Sequence, residues 1–224
     1  NYQNLGKVNY IPPYLAFVDP WLGETAADNR YVTFKDGMGN RDAMPDMMLG
    51  RMAVNSAAEA AAMVNNTIAY EANPVGSWQQ QVLLVADDPD AGGNFPALSN
   101  NLMNCCMARQ LSADLVYYGV THTTQTAAKA AILAGINSGK LLVNYIGHAY
   151  KDKWADEDLF GVADIKNLAN GSKQPIILAM ACNDGYYHMP YPNKYFATAE
   201  VVTRAQGKGA VASWSSTGMG MSNA

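Results

Sequence analysis

The sequence predicts an α/β fold in which helices cover both faces of a mostly parallel sheet. Short apolar runs at 82–86, 141–146 and 176–180 are typical of buried strands. Segments of helical length and spacing occur between or beside these runs, which is the pattern of βαβ units. We find no internal repeat and no linker, so residues 1–224 are interpreted as one domain.

The first elements are justified by local signals. Residues 15–18 predict a short strand, and the apolar run 47–49 predicts a strand edge. Ser56 and Glu59 form a capping box at the start of a helix that must end before Pro74. The elements predicted after it are, in order, a strand at 82–86, a helix at 97–111, a strand at 115–118, a helix at 124–137, strands at 141–146 and 176–180, a helix at 195–205 and a strand at 209–214.

Composition excludes several classes of protein. The 224 residues carry a net charge of −4, which argues against a protein that binds nucleic-acid phosphates. The longest useful apolar run, 175–182, is far shorter than the roughly 18–20 residues of a membrane span. Charged residues make up 15% of the chain, below the usual figure of about 25%, a style typical of secreted proteins.

The three cysteines do not form a recognisable framework. Cys105 and Cys106 are adjacent and Cys182 stands alone, so there is no CxxC pair for zinc or redox chemistry. Because neighbouring cysteines rarely bridge, we expect Cys105 and Cys106 to pack within a helix. His122 and His188 lack ligand spacing, so no transition-metal site is expected.

Two reactive side chains directly follow strands of the predicted sheet. His148 comes after the run 141–146, and Cys182 after the run 176–180. Parallel strands bring their carboxyl ends to one edge, where open α/β sheets bind ligands. A thiol nucleophile needs an imidazole nearby and backbone N–H groups for the oxyanion. The alternative is a core cysteine and a structural histidine, but Gly147 and the turn 183–185 favour an exposed site.

These motifs resemble the gingipain family of cysteine peptidases, which belongs to the caspase-like clan. The resemblance rests on the stretch from Asn144 to His148, the following Trp154, and the stretch from Pro175 to Gly185. It extends over nearly the whole chain and implies a caspase-like sandwich. It also leads us to expect that the domain is incomplete at both ends.

The resemblance implies a role for each matching residue. His148 would be the general acid and Cys182 the nucleophile of a thioester mechanism. The backbone N–H groups of Ala149 and Cys182 would bind the oxyanion, although the family usually has glycine at the position of Ala149. Asp87 or Asp88 would orient the imidazole; the alternative for this pair is a solvated turn.

The resemblance also suggests how substrates are bound. Trp154 matches an aromatic residue beside the specificity pocket of the family, with a core tryptophan as the alternative. No acid occurs in 94–101, where gingipains that cleave after Arg or Lys would carry one. Phe95 and Trp154 would favour an uncharged residue there, unless Asp90 or Asp184 supplies a carboxylate.

Three further expectations follow from the resemblance. The substrate is a peptide or protein, the chain is exported to the cell surface or beyond, and other domains or processed fragments of the same precursor are partners. No cofactor is needed for the chemistry, but Asp87, Asp88 and Asp90 are candidates for a structural Ca²⁺. Two alternatives to hydrolysis stay open, a sortase-like transpeptidase of a secretion system and a non-catalytic surface or assembly module.

Overall fold

The computed structural model describes residues 10–34, 44–188 and 196–220. Its helices and strands alternate along the chain. In order they are β1 (Leu15–Asp19), β2 (Gly23–Ala26), α1 (Ala57–Glu71), β3 (Gln81–Ala86), α2 (Phe95–Cys106), β4 (Ser112–Tyr117), α3 (Gln125–Ser138), β5 (Leu142–Ile146), β6 (Lys153–Trp154), β7 (Phe160–Gly161), α4 (Val162–Ile165), β8 (Ile176–Met180), α5 (Thr198–Arg204) and β9 (Ala212–Ser215).

The central sheet has five parallel strands in the order β4-β3-β5-β8-β9. The chain runs outward from β3 to β4 and then returns to the other side of β3 with β5. This reversal of strand order opens a crevice at the carboxyl ends of β3 and β5, the place where α/β sheets bind ligands. The residues that follow β3, β5 and β8 therefore meet at one edge of the sheet.

Helices cover both faces of the sheet, as the sequence predicted. On one face, alternate residues of β3 pack with Phe95 of α2 and Tyr117 in a small cluster. On the other face, Leu83, Val85 and Val143 belong to a larger cluster that includes α3 and α5. The alternation of side chains along each strand creates these two layers. The caspase-like α/β prediction is confirmed.

Most predicted elements are present with shifted ends, and a few differ. The predicted N-cap is observed, with the Ser56 hydroxyl accepting from the Glu59 N–H, but the Glu59 carboxylate accepts from the Asn55 N–H, one residue before the cap. Residues 47–49 form no strand. Of the two short hairpins, β1–β2 was predicted only in its first strand, and β6–β7 was not predicted. Tyr195, the predicted start of the last helix, lies outside the described residues.

The bonding and exposure of the two adjacent cysteines differ from the prediction. Cys105 and Cys106 are bonded to each other as a vicinal disulfide, and both are exposed. They occupy the last two residues of α2, because this helix ends earlier than predicted.

The sequence predicted no membrane-spanning segment. Among the residues in the described ranges, no helix has the length and apolar character needed to cross a membrane.

Candidate active site

His148 and Cys182 are delivered to the same edge by neighbouring strands. Ile146 and Met180, the last residues of β5 and β8, are paired in the parallel register. His148 and Cys182 each lie two residues further on. Because adjacent strands are about 4.8 Å apart, equal offsets place the two residues at neighbouring positions along the sheet edge.

The backbone of His148 is fixed on both sides by buried neighbours. Its N–H donates to the Asp87 carboxylate at 3.1 Å, and its carbonyl accepts from the Tyr145 hydroxyl at 2.5 Å. The imidazole packs edge-to-face against Phe95, with ring centroids 5.3 Å apart. Gly147 makes this possible, because a Cβ there would lie 2.4 Å from the Cβ of Asp87.

The imidazole itself is paired with a different acid from the one the sequence suggested. Nε2 of His148 lies 3.0 Å from the Asp90 carboxylate, and both side chains are nearly half exposed. Hydrogen bonding to the Gly92 N–H and the neighbouring imidazole hold the pKa of Asp90 below its usual value. A carboxylate at Nε2 favours the proton on that nitrogen and leaves Nδ1 for proton transfer. Asp87 instead anchors the His148 backbone.

Cys182 is half-buried and meets the segment after β9. The Gly220 N–H donates to its Sγ at 3.3 Å. Asn183 has a φ of 57°, so the chain turns sharply directly after the cysteine. The Asn183 N–H then donates to the Gly218 carbonyl at 2.8 Å. This turn follows Cys182 directly, two residues after the end of β8, so the sulfur lies at the edge of the sheet.

The two predicted oxyanion donors are available. Ala149 and Trp154 face each other in an antiparallel bridge whose hydrogen bonds are made by the flanking residues, from Tyr150 N–H and Ala155 N–H. Ala149 is therefore in a non-hydrogen-bonded pair. Within the described ranges, neither the Ala149 N–H nor the Cys182 N–H has an acceptor.

The residues predicted to line a substrate pocket lie behind the surface. Trp154 is fully buried, and its indole N–H donates to Asp184 at 2.8 Å. Asp184 is also buried and accepts from Ser215 at 2.7 Å. Burial raises the pKa of Asp184 to about 6. Phe95 is 3% exposed. We therefore reassign Trp154, Asp184 and Phe95 from the pocket to the supporting framework.

That framework links the two reactive residues. The Tyr145 ring, which holds the His148 carbonyl, stacks on Trp154 with centroids 4.5 Å apart. Trp154 in turn binds Asp184, two residues after Cys182. The sequence did not identify Tyr145 as part of the site, and its only signal was an aromatic residue near the end of a strand.

A cluster of acids beside His148 is the place where a metal ion would fit. Carboxylate oxygens of Asp87, Asp88 and Glu157 lie within 4.8 Å of one another. Burial, and to a lesser extent these neighbouring charges, raise the pKa of Asp87 to about 6. Oxygen ligands of this kind suit Ca²⁺. Glu157 takes the place that the sequence gave to Asp90, and the calcium site stays a prediction.

Comparison with known proteins decides the family. The family model described as peptidase family C25 matches residues 1–224. The chain belongs to peptidase family C25. Its curated relatives include gingipain R2 of Porphyromonas gingivalis, which is 30% identical over 178 residues. This match covers 77% of the chain and 23% of gingipain R2. Gingipain R1 of the same organism is equally similar, with 17% of its length covered.

Solved structures agree with this C25 assignment. The crystal structure of the Arg-specific cysteine proteinase gingipain R superposes with a TM-score of 0.70 and 26% identity. A complex of the pro- and mature domains of RgpB from P. gingivalis gives a TM-score of 0.69 and 25% identity. Each covers 87% of this chain, which spans less than half of either solved chain and less than a quarter of gingipain R2. The resemblance to gingipains is thus confirmed.

Proposed function

We propose that this C25 chain is a cysteine endopeptidase that hydrolyses peptide bonds with a Cys182–His148 dyad. The observation that carries the proposal is the matched placement of the two residues, each two positions beyond a registered pair of strand ends. The N–H groups of Ala149 and Cys182, which have no acceptor among the described residues, support it, since acyl transfer needs donors for the oxyanion.

The reaction runs through an acyl-enzyme. The thiolate of Cys182 attacks the carbonyl carbon, and the negative charge forms on the carbonyl oxygen beside the two N–H donors. His148 then gives a proton to the departing amine, and a thioester remains on Sγ. Water attacks the thioester while His148 takes up a proton of that water. The C–S bond then breaks, which releases the acid and restores the thiolate of Cys182 and the imidazolium of His148.

Asp90 acts on this chemistry through the imidazole. Its carboxylate at Nε2 fixes the orientation of the ring and stabilises the imidazolium that forms during proton transfer. Asp87 contributes by holding the backbone of His148 in place. The mechanism as proposed uses no cofactor, and Ca²⁺ at the acid cluster would have a structural role.

The family also guides the expectations about cellular context. We propose that the substrate is a peptide or protein, that the protein works outside the cytoplasm, and that its partners include other parts of the same precursor. A complex of pro- and mature domains in RgpB supports the last point.

Alkylation of Cys182 tests the dyad. We expect iodoacetamide to label Cys182 in the unreduced chain, and His148→Ala to slow labelling and abolish peptide cleavage. His122→Ala is the matched control, because His122 follows β4, two strands away from β5, and its ring bonds to Thr121. The proposal is wrong if labelling of Cys182 and peptide cleavage are unchanged in His148→Ala.

A further inference from the structure

The surface next to Cys182 is apolar on one side and acidic on the other. Along the sheet edge, Asp87 and Asp88 follow β3, His148 follows β5, and Cys182 follows β8. Glu157, in the turn between β6 and β7, completes the acid cluster with the two aspartates. The loop that carries His148 therefore lies between the carboxylates and the thiol. A substrate side chain on the β8 side of His148 does not meet those acids.

The β8 side offers two exposed methionines. Met180, the last residue of β8, is 44% exposed, and Met219 in the segment after β9 is 39% exposed. The Met219 sulfur lies 3.6 Å from the Asn183 amide, directly after Cys182. Two methionines with this much exposed surface beside a nucleophile provide an adaptable apolar contact.

The face of the sheet on which Met180 lies follows from the register. Met180 is paired with Ile146, and Ile146 with Ala86, so the three side chains point to the same face. That face is covered by α2, whose first residue, Phe95, contacts the ring of His148. Met180 therefore lies on the same face of the sheet as the catalytic imidazole.

The carboxylates near Cys182 are few and already bound. Asp19, which accepts from the Met219 N–H, is buried and is also held by the N–H groups of Trp21 and Leu22. The sequence has no Asp or Glu in α2 (Phe95–Cys106), in 185–199 or in 212–224. Asp184 is buried and bound to Trp154 and Ser215. Asp90 is engaged with His148. A guanidinium or ammonium group placed beside Cys182 would therefore meet no unengaged carboxylate among these residues, and an unpaired cation there is costly to desolvate.

We propose that the residue before the scissile bond is uncharged and apolar, and that Met180 and Met219 contact its side chain. This inference rests on the proposed peptidase function and concerns its substrate class. It sets the chain apart from gingipain R, the solved relative that is Arg-specific. Met180 is a specificity residue in this scheme and takes no part in proton or acyl transfer.

Matched substrates and probes test the proposal. Peptides that differ only at the position before the scissile bond would carry Leu, norleucine, Arg, Lys or Asp. Peptidyl acyloxymethyl ketones with Leu or Arg at that position report binding through labelling of Cys182, without turnover. We expect kcat/KM and the labelling rate to favour Leu and norleucine over Arg by at least about tenfold.

Substitution of one methionine tests which residue sets the preference. Met180→Glu should shift the Arg-to-Leu ratio of kcat/KM, measured within the variant, toward Arg by about tenfold or more. Met48→Glu is the control, because Met48 is fully exposed and lies far along the chain from either reactive residue.

The outcomes separate this inference from the proposed function. Preference for Arg or Lys overturns the inference, as does selective, His148-dependent alkylation of Cys182 without reaction of any apolar substrate or probe. An unchanged Arg-to-Leu ratio in Met180→Glu overturns the assignment of Met180. Failure of His148-dependent alkylation overturns the peptidase function itself.

Discussion

Gly147 shows how little space surrounds the backbone of His148. A Cβ at this position would lie 2.4 Å from the Cβ of Asp87 and 2.6 Å from the Tyr145 hydroxyl. Both of these groups hold the backbone of His148. Glycine is needed here because a side chain would collide with these two groups. Backbone conformation is not the reason, since φ of Gly147 lies outside the left-handed region.

We therefore predict that Gly147→Ala displaces His148. Peptide hydrolysis should fall at least about tenfold, and the free energy of unfolding should drop by roughly 1–3 kcal/mol, as in other overpacked sites. Gly50→Ala is the control, since a Cβ at Gly50 meets nothing within 4 Å. Turnover and urea unfolding measure the two effects. Equal activity of the two variants would contradict this account of Gly147.

At the scale of residues, the sequence placed the two candidate groups at one edge of the sheet but did not identify the residues that contact them. His148 and Cys182 could be found because each follows a strand, and strand ends are a local signal. The choice of Asp90 over Asp88 beside the imidazole depends on how the turn after β3 folds back, which no local pattern encodes. The burial of Trp154 against Asp184 joins residues 30 positions apart and could not be read from either one.

At the scale of elements, the β1–β2 hairpin holds the segment that borders Cys182. The buried carboxylate of Asp19 accepts from the N–H groups of Trp21 and Leu22 in the hairpin and of Met219 after β9. Gly220, the next residue, donates to the sulfur of Cys182. One carboxylate thus connects the hairpin to the wall of the site.

Removing that carboxylate should loosen the wall without touching the dyad. We predict that Asp19→Ala raises KM for apolar peptides several-fold or more, while the alkylation rate of Cys182 by iodoacetamide changes much less. Glu24→Ala is the control, because Glu24 is an exposed residue of the same hairpin. Steady-state kinetics on one peptide measure the effect. A KM equal to that of Glu24→Ala would show that the contact with Met219 is dispensable.

The elements themselves were predictable to different degrees. Long helices with caps and apolar strands were found, because periodicity and N-cap residues are local properties. The two-residue strands β6 and β7 were missed, since a hairpin this short leaves no periodic signal. The run 47–49 was wrongly predicted as a strand edge, because apolar character alone does not supply a strand to pair with.

At the scale of the whole molecule, burial sets the response of stability to pH. It raises the pKa of Asp87 and Asp184 to about 6 and that of Glu200 to about 7. It also lowers the pKa of His188 to about 4, assisted by Lys151. A raised carboxyl pKa stabilises the fold fully below about pH 4, and this stabilisation is lost as pH rises through 6 to 7. The lowered histidine pKa has the opposite effect and costs stability as pH falls from about 6.5 to 4.

The three carboxyl groups lower the free energy of unfolding as pH rises, and the one histidine raises it. We therefore predict a larger free energy of unfolding at pH 5 than at pH 7.5. Asp184→Asn should flatten the profile, because the amide keeps an acceptor for Trp154 and a donor for Ser215 but cannot ionise. Since one pKa unit is worth about 1.4 kcal/mol, the variant should gain up to about 3 kcal/mol relative to the parent between pH 4 and 7. Urea unfolding at a series of pH values measures the slope, with Glu24→Gln as the exposed control. If Asp184→Asn and the parent lose stability equally as pH rises, Asp184 does not ionise in the folded protein over this range, and the pH response must come from the other buried groups.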